Sequence, residues 1–465
     1  MSKFWLKTAP VVVLISAVVI GVCIFWPAET EPIVESKDVE QAQKPQQRSL
    51  QAELPADGVV MHSKRLPTDM FKCSDIDLAE VFIDADNNTF IRVGIGHKYP
   101  DGTNFLHSNG GWVSLKQYGY LMNAFLKDGR FHLAFKKDET VLIYKVGKNI
   151  ELVSRINIAD FFSKRIMRSY AFVRVIPGPE TGNSYYLLAV RGRFPINPID
   201  FLKHFLSGHG IRYRKPYLIE MRDGKLGKPR KLRYGGKIDE SYVVIQVVHG
   251  EDLVHFLGFK MEEKAEWGSR KKQREPLRLH HTAYDLKRKK VIQTHTIWAN
   301  DSPKVEKDKD RLFFYGEFSM DSLGNDVFVT FPWILEKGLE RRSAPKLNNK
   351  FESTVFYWQF SNGVASNIEK IAEEFNPLVR VDALGNVHLV WANRNGCLVH
   401  KAKRNGIWSE DRIIVNNADV TFHITYRKYI AAEFDKDNNL HVVYPSSGSL
   451  VHAKVKLNVM ADKQN

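Results

Sequence analysis

The chain has 465 residues, 43% of them apolar, 12% aromatic and 26% charged. That composition excludes wholesale disorder and admits either two or three average domains or one large β domain. Three cysteines, Cys23, Cys73 and Cys397, exclude both a disulfide framework and a zinc-ligand spacing. Of the 68 basic and 53 acidic residues, residues 1–58 hold five and seven, so the remainder carries +17. An excess of that size attracts polyanions at long range, and an acidic glycan, an anionic membrane surface and a nucleic acid all satisfy it.

Residues 1–8 carry Lys3 and Lys7, and residues 9–26 (APVVVLISAVVIGVCIFW) contain no charge. As a helix, such a segment spans roughly 27 Å, close to the hydrocarbon thickness. Trp5 and Trp26 flank it at interfacial depth. The positive-inside rule then places residues 1–8 in the cytoplasm and everything after Trp26 outside, as a single-pass cell-membrane protein. No small-x-small cleavage site follows the run, and Val22 precedes Cys23 where a lipoprotein signal needs a small residue. Residues 27–58 are polar, rich in Glu and Gln, and interrupted by Pro, which predicts a flexible, disordered stalk.

Residues 59–465 carry an internal repeat. Val381–Ala402 (VDALGNVHLVWANRNGCLVHKA) aligns with Phe434–Val455 (FDKDNNLHVVYPSSGSLVHAKV). Asp382 meets Asp435, Asn386 meets Asn439, His388 meets His441, and Trp391 meets Tyr444. The Asp/Asn/Gly cluster predicts a tight hairpin, an apolar strand follows, and a second turn reverses the chain into a third strand. Fainter copies begin near Ile83, Leu126, Glu180, His249 and Met320. Positions equivalent to Gly385 are Asn87, Gly129, Gly182, Asp252, Gly324 and Asn438. Near-regular spacing of short turn–strand units predicts an all-β propeller of seven blades, or six, with insertions in the third, fourth and fifth units. Ring closure would either bring Cys73 and Cys397 together as a disulfide or leave them as free thiols.

The D-x-x-G-N-x-H-x-x-W run, followed by L-x-H-K and by Gly406-Ile-Trp408-Ser409, resembles the repeats of sialidase-like, BNR-type bacterial β-propellers. The likeness is good over residues 375–455 and faint before them. It implies a propeller that binds or acts on glycans. Arg193-Phe194-Pro195 fits the R-x-P of sialidases but lies in the third unit, and Ser319-Met320-Asp321 has one residue too many before its Gly for an Asp-box.

Propeller polysaccharide lyases use His, Tyr and Arg, and Arg278-Leu-His280-His281-Thr-Ala-Tyr284 supplies all three. A base abstracts a proton beside a uronate carboxylate that arginine neutralises. Arg278, His281 and Tyr284 are therefore the candidate catalytic residues, set against a plain reading as a strand with one buried histidine. Alternation sends His280 and His281 to opposite faces. His132, His255, His388 and His441 recur at one repeat position and read as structural, bonding a neighbouring blade's backbone, not as a metal site. Two basic stretches, 191–237 and 264–290, form either a solvated face or an anion-binding rim. Arg191, Arg193, Arg212 and Arg214 are the candidate ligand residues, since the guanidinium fork matches sulfate and carboxylate. Pro198–Leu206 has the pattern of a short amphipathic helix.

The sequence thus predicts a membrane-anchored, monomeric, extracytoplasmic propeller that binds an acidic polysaccharide or another anionic envelope polymer, with no cofactor, no metal and no nucleic-acid partner. The alternatives are a polysaccharide lyase or glycoside hydrolase of the propeller class, and a protein-interaction scaffold.

Overall fold

The computed structural model describes residues 61–457 apart from 96–102, 109–110, 161–169, 179–182, 193–212, 233–240, 262–277, 300–310, 314–317, 337–350, 394, 417 and 420–429. The predicted anchor, the stalk and the Pro198–Leu206 helix lie outside the described residues. Among those described, no helix is long and apolar enough to cross a membrane.

Seven antiparallel sheets follow one another along the chain. They occupy residues 76–114, 120–157, 170–231, 241–299, 311–372, 375–415 and 431–455, here blades 1 to 7. Blade 7 takes its fourth strand from the other end of the chain: Met61–Leu66 pairs with Leu450–Val455. The first strands pack on one another from blade to blade, with Phe375–Val381 against Ala431–Phe434 and Ala431–Phe434 against Ile76–Ile83. The ring is therefore closed by main-chain pairing.

The core divides in the same way. Seven apolar clusters are present, one between each pair of adjacent blades; Ala79, Val81 and Val93 of blade 1, for example, meet Ala431, Val443 and Leu450 of blade 7. A strand held between two neighbours buries both faces, so its sequence loses the alternation of a one-sided strand. Val387–Ala392 is buried at all six positions, which explains why it is apolar at every position but His388.

The hairpins lie where the repeat places them. Asn87, Gly129, Gly324, Gly385 and Asn438 all have positive φ, between 58° and 81°, a conformation that Gly and Asn tolerate; Asp252, predicted as their equivalent, does not, because its turn is one residue shorter, and Gly182 lies outside the described residues. In blade 6, Asp382 Oδ1 accepts from the N–H groups of Leu384 and Asn386, while Oδ2 accepts from Asn386 Nδ2, His388 Nε2 and, across the blade boundary, Asn438 Nδ2. Asp84 and Asp435 cap their own hairpins in the same way. We expect Asp382→Ala to cost roughly 3 kcal/mol in a urea unfolding titration, because it orphans several buried donors at once; an unchanged midpoint would refute this role.

The segments 193–212, 262–277 and 337–350 each join the second and third strands of their blades, which accounts for the longer intervals in the third, fourth and fifth units. Cys73 and Cys397 are free thiols: Cys73 is buried between blades 7 and 1, and Cys397 lies 3.8 Å from Asn416 Oδ1.

Candidate functional site

Arg278, His281 and Tyr284 all lie on the third strand of blade 4, Arg278–Asp285. Their odd and even positions send them to different neighbours. His281 is fully buried and faces blade 5, against Trp358 and Phe360. Tyr284 is buried among Ile176, Tyr186 and Leu188 of blade 3. The structure therefore separates this pair across the thickness of the blade, and burial raises the Tyr284 hydroxyl above its ordinary value. His280 is on the opposite face from His281 and within 3.2 Å of Thr296 Oγ1. Arg191 and Arg214 are located by backbone on neighbouring strands of blade 3, where Arg191 pairs with Lys215; Arg193 and Arg212 lie outside the described residues.

The repeated histidines differ from expectation in their partners. They bond within their own blade, not to a neighbouring backbone. His388 spans Asp382 and His400, His441 spans Asp435 and His452, and His132 meets Arg130 O.

The first strands carry a different set of polar side chains, most of which reach the next blade's backbone. Asn123 brackets the main chain of Val175. Arg174 donates to Val247 O, Gln246 to Phe318 O and Arg380 to Ala432 O. Ser319 Oγ accepts from Val379 N and Asp321 Oδ2 from Val381 N. Inner strand edges present backbone groups with no fifth strand to pair with, and these side chains satisfy them.

Glu433 departs from this pattern. Its Oε2 lies 3.3 Å from Arg380 Nε, and Oε1 accepts from Phe434 N of its own strand. It keeps 29% of its side chain accessible, and Arg380 keeps 15%. Burial pushes the Glu433 carboxyl up to about 7, with Arg380 opposing the rise and Asp321 of blade 5 adding to it. Asp321 is also raised by burial, against the pull of Arg380. Three blades thus bring two carboxyls and one shared guanidinium to the inner strands, deep in the ring yet reached by solvent. On the far side, Arg174 is lowered by burial and senses Glu80 and Arg92 of blade 1.

Sequence reasoning missed this cluster, although a signal was present. Arg380 and Glu433 sit two residues before Asp382 and Asp435, at one repeat position on strands that are otherwise largely apolar. A concavity of about 630 Å³ opens elsewhere, between the hairpins of blades 4 and 5, and is lined by Leu253, Gln293, Leu323, Asn325, Asp326 and Asn362 among others. Asp326 there is already engaged by Ser361 Oγ and Asn362 N.

No family model matches the chain, that of the sialidase-like repeats included, and no curated protein matches it. Solved structures do match. An α-L-arabinofuranosidase of Fusarium graminearum aligns at 9% identity and a TM-score of 0.38, covering 86% of this chain and 97% of its own. An ulvan lyase of family PL25, bound to a glucuronate–sulfated rhamnose fragment, aligns at 11% identity and 0.41, covering 79% and 89%. The polysaccharide lyase Uly1 aligns at 8% and 0.45, covering 82% and 89%.

Proposed function

We propose that this protein acts on a polysaccharide and that Glu433, flanked by Arg380 and Asp321, is its proton-transferring group. The observation that carries this reading is a solvent-reached carboxyl pushed up to about 7 beside a guanidinium on the inner strands. General acid–base catalysis works best with a group that titrates near the operating pH. Cleavage of a glycosidic bond uses a pair of carboxyls: one protonates the leaving oxygen and the other supports the charge that develops on the sugar. The reading keeps two expectations from the sequence: residues 9–26 as the membrane anchor, with the propeller outside, and membership of the sialidase-like repeat class, supported by the Asp382 and Asp435 repeats.

The test is incubation of the full-length protein with neutral and uronate-rich polysaccharides. New reducing ends without unsaturated product are expected for hydrolysis, and ultraviolet absorbance of an unsaturated uronate for elimination. Neither product from any polymer of the panel would overturn the proposal. The second reading, a non-catalytic binder of acidic glycan, is favoured by the +17 charge beyond residue 58; it predicts salt-sensitive retention on an anionic polysaccharide without turnover.

A further inference from the structure

We propose that blade 4 is the acid-sensitive element of the propeller: protonation of its buried histidine pair opens this blade while blades 6 and 7 stay closed. The same diagonal pair is built three times. His388 Nδ1 lies 3.0 Å from His400 Nε2 in blade 6, and His441 Nδ1 lies 2.9 Å from His452 Nε2 in blade 7. In blade 4, His255 Nδ1 lies 2.9 Å from His281 Nε2. In each, the second-strand histidine sits opposite the residue two places beyond its third-strand partner: Ala402, Lys454 and Ala283.

The three differ at the other ring nitrogen. His388 Nε2 is 3.1 Å from Asp382 Oδ2, and His441 Nε2 is 3.2 Å from Asp435 Oδ2, both carboxylates being only 1% exposed. Burial works to raise Asp382 and Asp435, but their many hydrogen bonds hold both well below the usual carboxylate range. A proton arriving on the blade 6 pair therefore meets a negative charge already in place, and one arriving on the blade 7 pair meets a carboxylate that also holds Lys454 Nζ at 2.6 Å.

Blade 4 lacks that charge for a reason visible in its hairpin. Val248 sits opposite His255 as Arg380 sits opposite His388, but the turn is one residue shorter. Two places further on, where blade 6 has Asp382, blade 4 has Gly250. A Cβ at Gly250 would lie 2.4 Å from Gly324 O, so no carboxylate fits. Among the described residues, His255 Nε2 and His281 Nδ1 are buried without a hydrogen-bond partner, as are the Nε2 atoms of His249 and His295.

Among the described residues no carboxylate bonds to the pair, and Asp326, which raises His255 from a distance, does so by less than burial and His249 lower it. His249 and His295 flank it, Lys127 acts on His249, and Trp358 and Phe360 cover it from blade 5. The nearby acids are committed: Asp252 to Lys287 Nζ at 2.8 Å, and Asp326 to Ser361 and Asn362. Burial, with His249 adding to it, lowers His255 to about 4, and His281 also lies well below its ordinary value. Since these folded-state values are depressed, the stability they confer is complete above about pH 6.5 and is lost as pH falls toward 4. The remote members His400 and His452 are lowered too, to about 3 and about 4, and burial lowers His441 against the pull of Asp435.

Hydrogen exchange followed by mass spectrometry on the full-length protein, stepped from about pH 7.5 to about pH 5 and corrected for intrinsic rates, tests this. Peptides from 241–299 are expected to lose at least about tenfold of their protection before peptides from 375–455. Simultaneous loss in all three blades, or earlier loss in blades 6 and 7, would overturn the proposal. His255→Phe, which installs the residue blade 1 carries at this register (Phe90 opposite Phe82), is expected to abolish the selective loss. Persistent selective loss in a folded His255→Phe protein would equally overturn the assignment, and the wild-type measurement decides the matter should that variant not fold.

Discussion

Replacing Met61–Leu66 with a Gly/Ser stretch in the full-length chain is expected to lower the thermal midpoint by well over ten degrees and to produce aggregation on heating. This strand is the fourth of blade 7, and all six of its residues pair with Leu450–Val455. Loss of its ladder, at about 1 kcal/mol for each hydrogen bond, removes on the order of 5 kcal/mol, a large share of the 5–15 kcal/mol that holds a typical domain folded. Leu66, 3% exposed, leaves the cluster between blades 7 and 1 in the same step. What is left is an unpaired edge, Ser449–Val455, with apolar residues at 450, 451, 453 and 455, a template for pairing with another chain. Appending the MHSKRL segment after Val455 through a short hairpin should restore stability, because the native pairing is antiparallel. A midpoint unmoved by the Gly/Ser replacement would show that the ring does not depend on this strand.

That closing strand also marks a limit on what the sequence reveals. Hairpins are local: Asp382, Gly385 and Asn386 carry their turn chemistry within five residues, and the copies at Asn87, Gly324 and Asn438 were legible for the same reason. The pairing of Met61 with Val455 joins the two ends of the domain and has no local turn to announce it. Both faces of each blade are buried, so apolar periodicity could not say which neighbour a side chain meets. This is why Arg278, His281 and Tyr284, close together in sequence, looked like one site, whereas the fold divides His281 and Tyr284 between the blade 5 and blade 3 interfaces. Conversely, Asp321, Arg380 and Glu433 are separated by more than fifty residues and are united only by the stacking of successive blades. The repeat was nevertheless informative about them, since Arg380 and Glu433 occupy one position in successive units.

The second large effect is expected at Glu433, where activity and stability should move in opposite directions. Glu433→Gln keeps the shape of the side chain and an acceptor for Arg380 but cannot transfer a proton. Activity on the polysaccharide substrate should fall by about 10²–10⁴-fold, the usual worth of a general acid or base. Stability should respond with the opposite sign and only at high pH. The folded-state value of this carboxyl is raised, to about 7, so between its ordinary value near 4.5 and about 7 the unfolded chain releases a proton that the folded chain retains. The wild type therefore loses stability as pH rises through that window, by on the order of 2 kcal/mol once the 29% exposure of the side chain is allowed for. A glutamine does not suffer this loss. Glu433→Gln should melt above the wild type at pH 8 and level with it near pH 4. If Glu433 acts as the acid, wild-type activity is expected below about pH 7 and should disappear above it, and the opposite limb would identify it as the base. A Glu433→Gln protein that retained full activity would remove Glu433 from the reaction; one that melted below the wild type at pH 8 would make the Glu433–Arg380 pair a structural clamp.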